Sequence, residues 1–142
     1  MKHVISGFAL AVALVGLGCG SSNNVGLKPG INGCTSFTDA TAPGASRVIN
    51  FGGNFGNVYD QPCLAVSATQ QVTFSGAFSS HPLRPGLAPS QAGGPDAGTI
   101  PNPIPSTSSG NTLQFAFVNT GTYPFYCSLH ESIGMFGAIQ VR

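Results

Sequence analysis

Gly121-Thr122-Tyr123-Pro124-Phe125-Tyr126-Cys127-Ser128-Leu129-His130-Glu131-Ser132-Ile133-Gly134-Met135-Phe136-Gly137 decides how this chain is read. It contains Cys-x2-His-x4-Met, with residues of strand character on both sides. Upstream lies Ser79-Ser80-His81-Pro82-Leu83. Beyond the first 18 residues, His81 and His130 are the only histidines and Met135 the only methionine. Soft and borderline donors are scarce in this chain, yet they gather in these two clusters.

Two imidazoles, one thiolate and one thioether form a donor set suited to a single copper ion cycling between Cu(I) and Cu(II). The thiolate of Cys127 is a soft, covalent donor. Neutral imidazoles from His81 and His130 serve both oxidation states. A weak thioether bond from Met135 leaves a geometry between the preferences of the two states, so little moves when an electron arrives or leaves. Gly134 and Gly137 allow a tight loop, and Pro82 biases His81 toward an extended backbone.

Around this stretch the chain reads as all-β. Twenty glycines and eleven prolines imply many turns. Expected strands are Ser36–Thr38, Ser46–Phe51, Cys63–Val66, Gln71–Phe74, Leu113–Val118, Gly121–Tyr126 and Gly137–Val141. Leu113, Phe115 and Phe117 alternate onto one face. Asn119-Thr120-Gly121-Thr122 signals a tight hairpin. Residues 84–111 are rich in Pro, Gly and Ser and read as one long loop, placed to cover a side of the site after His81.

At 142 residues the chain has room for one domain. Met1–His3 and the apolar run Val4–Leu17 read as an export signal over residues 1–18. Gly16-Leu17-Gly18-Cys19, followed by a polar stretch, is similar to a bacterial lipoprotein signal, with Cys19 as the acylated first residue; ordinary cleavage at the same place is the alternative. Residues 19–33 read as a flexible tether and residues 34–142 as the folded domain. An oxidising compartment permits a Cys34–Cys63 disulfide, leaving Cys127 free for metal; a disulfide involving Cys127 is the other possibility.

Charged residues make up 6% of the chain, against about 25% in an average soluble protein. Removing Lys2 with the signal leaves four basic residues against four acidic ones. With no basic patch, nucleic-acid binding is not expected. No general acid–base pair or Ser/His/Asp set is visible, because both histidines are committed to metal. An enzyme is therefore not expected, and neither is a multicopper centre, which would need further histidines.

Gly121-x-Tyr123-x-Phe125-x-Cys127-x2-His130-x4-Met135-x-Gly137-x-Ile139-x-Val141 resembles the copper-binding signature of the plastocyanin/azurin-like cupredoxins. Cys63-Leu64-Ala65-Val66-x4-Gln71-Val72-Thr73-Phe74, then His81, resembles the strand pair that delivers the first histidine in that family. The resemblance covers residues 46–83 and 112–142. It implies a Greek-key β-sandwich or barrel of about seven to eight strands. It also implies His81, Cys127 and His130 as equatorial ligands and Met135 as the axial ligand. The exposed edge of His130 would be the electron port, with Pro82, Leu83, Gly134 and Phe136 as an apolar rim. Glu131 reads as a solvated loop charge.

The function implied is that of a one-electron carrier, monomeric and exported to the periplasm or cell envelope, membrane-anchored through Cys19. Its partners would be redox proteins such as a cytochrome or a copper oxidase. Copper storage, delivery or sensing is the alternative.

Overall fold

A computed structural model describes residues 30–91 and 101–142. The expected export signal, the lipidation site at Cys19 and most of the expected tether lie outside the described residues.

The described chain contains eight strands: β1 Thr38–Asp39, β2 Val48–Asn50, β3 Cys63–Val66, β4 Gln71–Ser75, β5 Leu83–Pro85, β6 Thr112–Ala116, β7 Gly121–Cys127 and β8 Phe136–Val141. They form two sheets, one in the order β1-β3-β8-β7-β5 and the other in the order β2-β4-β6. β3 runs parallel to β8, and β7 antiparallel to both β8 and β5. This is the all-β sandwich expected from the sequence. Among the described residues no helix is long and apolar enough to cross a membrane.

Side-chain alternation explains the layering. In β4, Val72 and Phe74 are buried while Gln71 is exposed. β3 lies between β1 and β8, and Leu64, Ala65 and Val66 are all fully buried. Phe74 and Phe125 meet edge to face across the core at 4.9 Å, and Tyr59 meets Phe125 at 5.0 Å. Such aromatic pairs add about 0.5–1.5 kcal/mol beyond area burial.

Four expectations need correction. The segment 84–111 does not begin as a loop, because Leu83–Pro85 is a strand opposite Phe125, Tyr126 and Cys127. Pro85 is tolerated because β5 is a short edge strand. The Asn119–Thr122 turn is not a hairpin: β6 pairs with β4, whereas β7 pairs with β8 and β5. The chain crosses between sheets there, and Phe117 stacks on Tyr123 at 4.7 Å. β1 is Thr38–Asp39 and not Ser36–Thr38. The packed domain also starts before Cys34, since Asn32, assigned to the tether, is buried. Cys34 and Cys63 are bridged, as the oxidising reading permitted, and Cys127 is free.

Candidate metal centre

Cys127 ends β7, and Met135 immediately precedes β8. The Tyr126–Phe136 rung closes the sheet beneath them. The Cys127 N–H donates to the Met135 carbonyl at 2.9 Å. Between them the backbone makes a 3-10 turn over Glu131–Ile133. The His130 carbonyl accepts from Ile133 at 3.2 Å and from Met135 at 3.1 Å. Gly134, at φ 98°, supplies the left-handed residue that ends the turn. One turn plus one left-handed glycine is the physical content of the His-x4-Met spacing.

His81 reaches the same place from the other side. It precedes β5, and Leu83 lies opposite Cys127 in the register. The Ser128 N–H donates to the Pro82 carbonyl at 3.0 Å, so backbone bonds tie the two ligand-bearing segments together. The His81 ring packs edge-on against Phe51 at 5.8 Å. Gly52 lies against the Cδ2–Nε2 edge of the ring: a Cβ there would lie 3.2 Å from both atoms. Gly52 also has φ 68° and ψ −174°, a conformation essentially restricted to glycine.

Donor atoms of His81, Cys127 and His130 lie within 4.8 Å of one another. Cys127 Sγ is 3.4 Å from His130 Nδ1, and the two imidazoles are 4.9 Å apart. His81 Nδ1 is buried without any hydrogen-bond partner. Leaving such a nitrogen unsatisfied is costly. A metal at the converging donors would satisfy it, and the thiolate–imidazole chemistry of the set suits copper. Met135 is fully buried beside Cys127, with its backbone closing the loop.

Burial, and then the neighbouring charge of His130, pushes the pKa of His81 down. Burial pushes the Cys127 thiol up, against the pull of the Leu129 and His130 amides. Near neutral pH the metal-free site therefore holds a neutral His81 and a protonated thiol. Cys127 must release its proton to become a ligand. Apparent copper affinity should thus rise about tenfold per pH unit above neutrality, for as long as the thiol stays protonated in the metal-free site. Competition titration with a chelator of known pH dependence measures this, and a flat profile would exclude Cys127 from the ligand set.

The expected rim is partly wrong. Pro82 and Leu83 are both buried, Leu83 within β5 opposite Cys127. Gly134 is exposed and Phe136 half-buried. The exposed apolar side chains beside the half-buried His130 are Leu129 and Ile133, at 62% and 63% exposure. Glu131 is not merely a solvated charge: its carboxylate accepts from the Ser90 N–H at 3.0 Å, and its carbonyl accepts from Ser90 Oγ at 3.3 Å. The segment after β5 thus braces the ligand loop. Gly52 and Ser90 carried no sequence signal, being one more glycine and one more serine in a chain rich in both.

A sequence model for copper binding proteins of the plastocyanin/azurin family matches residues 52–142. The chain belongs to this family. The matched part of this cupredoxin runs from Gly52, beside His81, to the last residue of the chain. No curated protein matches the chain. Solved structures similar to it include a reduced amicyanin variant, 20% identical, covering 71% of this chain and 86% of its own, with a TM-score of 0.45. Reduced auracyanin from Roseiflexus castenholzii is 23% identical, covering 70% and 99%, at 0.42. Oxidised plastocyanin from Dryopteris crassirhizoma is 24% identical, covering 67% and 99%, at 0.44. The metal of this cupredoxin is copper, and the His81, Cys127 and His130 group fits one ion.

Proposed function

We propose that this cupredoxin is a one-electron carrier, with His81, Cys127, His130 and Met135 as the ligands of a single copper ion. The observation that carries the reading is the unpartnered His81 Nδ1 in a buried cluster with a thiol and a second imidazole. Bound copper supplies the Cu(I)/Cu(II) couple. Cys127 provides the thiolate, and the sandwich holds it from both neighbouring strands. His130, half-buried between exposed Leu129 and Ile133, is the edge through which a partner exchanges the electron.

The disulfide supports export, since such bonds persist in oxidising compartments. In this reading residues 1–18 direct export and Cys19 carries a lipid anchor. The monomer works in the cell envelope with redox proteins such as a cytochrome or copper oxidase, and performs no catalysis itself. The donor set favours a carrier over storage or delivery, because Cys127 and His81 are buried and preassembled, an arrangement unsuited to ready metal exchange.

Visible absorption and EPR spectra after Cu(II) addition test the reading. An intense blue band with narrow copper hyperfine splitting is expected; a pale spectrum with wide splitting would overturn it. Met135→Leu should retain the blue band but raise the reduction potential, because Cu(II) needs a fourth donor more than Cu(I) does and the site becomes more apolar. A shift of ~60 mV or more, a tenfold change for a one-electron couple, is expected in voltammetry. An unchanged potential would remove Met135 from the ligand set.

A further inference from the structure

Asn32 lies in the turn Gly30–Cys34, outside the matched family region, and is 2% exposed. Its carboxamide is fully engaged. Nδ2 donates to the carbonyls of Phe125 at 2.8 Å, Gly137 at 3.1 Å and Gly86 at 3.2 Å. Oδ1 accepts from the Ala88 N–H at 2.9 Å. Two N–H protons serve three carbonyls, so one proton is shared.

The placement of these partners suggests more than a structural bond. Phe125 and Gly137 are opposite each other in the β7–β8 register. Phe125 lies two residues before Cys127, and Gly137 two residues after Met135. Gly86 follows β5, which carries Leu83 opposite Cys127. Ala88 precedes the turn whose Ser90 binds Glu131. One buried side chain therefore joins both feet of the ligand loop, the strand beside it and the segment that braces it.

The turn is itself fixed. The Cys34–Cys63 disulfide links it to β3. Asn32 has φ 44°, a left-handed conformation that asparagine tolerates better than most residues. Gly33 packs so closely on Phe136 that a Cβ would lie 3.2 Å from its ring.

We infer that Asn32 is a positioning residue for the metal centre: it sets the separation of the Cys127 and Met135 ends of the loop, and the disulfide holds it there. This rests on the copper reading above, but part of its test does not.

The test compares Asn32→Ala with Val72→Ala, a core truncation in the opposite sheet. Amide hydrogen exchange is measured on the metal-free proteins, and EPR on their Cu(II) forms. Asn32→Ala should speed exchange at the Cys127 and Met135 amides about tenfold or more beyond Val72→Ala, and should change the copper hyperfine splitting. Val72→Ala should leave the splitting unchanged. If both substitutions give the same loop exchange and the same splitting, the positioning role is overturned. If Asn32→Ala does not fold, the double variant Cys34→Ser/Cys63→Ser takes its place in both measurements, and an unaltered loop there overturns the inference. A wild-type protein with no blue band would sink the copper reading, while the exchange data would still decide whether Asn32 holds the loop.

Discussion

Cys127→Ser should abolish the blue absorption completely while leaving the sandwich folded. The intense colour of such a centre comes from a thiolate bonded to copper, and Cys127 is the free cysteine of the described chain. A serine hydroxyl stays protonated at neutral pH and is a hard donor, so it cannot supply that bond. The backbone loses nothing: the residue 127 N–H still reaches the Met135 carbonyl, and residue 127 still pairs with Leu83. A buried hydroxyl lacking a partner costs about 1–3 kcal/mol, within what a typical domain tolerates. His81 and His130 remain, so the variant should still take up some metal through the imidazoles, without colour. Absorption after Cu(II) addition, with circular dichroism to check folding, decides the matter. Retained blue colour would mean that the thiolate is not the source of the band.

The part of this site that could be read from sequence is the part held by local spacing. His-x4-Met is one 3-10 turn closed by Gly134, and its backbone–backbone hydrogen bonds all lie within residues 127–136. Alternation in Gln71–Ser75 and Thr112–Phe117 likewise shows which side chains face the core. His81 is legible for a different reason, as one of two histidines beyond residue 18, and the structure brings it to Cys127 and His130; other features that depend on distant partners were not legible. Asn32 falls in the stretch that reads as tether, yet its acceptors lie 54 to 105 residues away. Arg84-Pro85 reads as loop because proline opposes pairing, and only its place at a sheet edge lets it continue a strand from Leu83. That one misreading also put Leu83 on the rim when pairing buries it. The signal at Asn119–Gly121 is the same whether the next strand returns to the same sheet or crosses to the other. Facing Phe117 and Tyr123 decide that, and sequence does not show which faces meet.

Loss of the Cys34–Cys63 bond should destabilise the domain by about 3–4 kcal/mol, the loop-entropy value expected for its span. The two cysteines are 29 residues apart, with Cα atoms at 5.6 Å. That cost is a large share of the roughly 5–15 kcal/mol typical of a domain. It corresponds to a fall in melting temperature of more than about 10 °C. The bond joins a turn with little regular structure of its own to the first residue of β3, and Cys63 lies opposite Ala138 in β8. Without it, only the Asn32 hydrogen bonds and the Gly33–Phe136 contact hold the turn, which opens more often while the two sheets stay paired. The reduced chain should therefore still fold, but from a more expanded unfolded ensemble. Denaturant unfolding of Cys34→Ser/Cys63→Ser against the oxidised protein should show a lower midpoint and a steeper dependence on denaturant. Reductant added to the wild type should reproduce the shift, since Cys127 is already a thiol. A loss below about 1 kcal/mol would mean that the turn stays docked on β3 even in the unfolded ensemble, leaving the covalent link no entropy to remove.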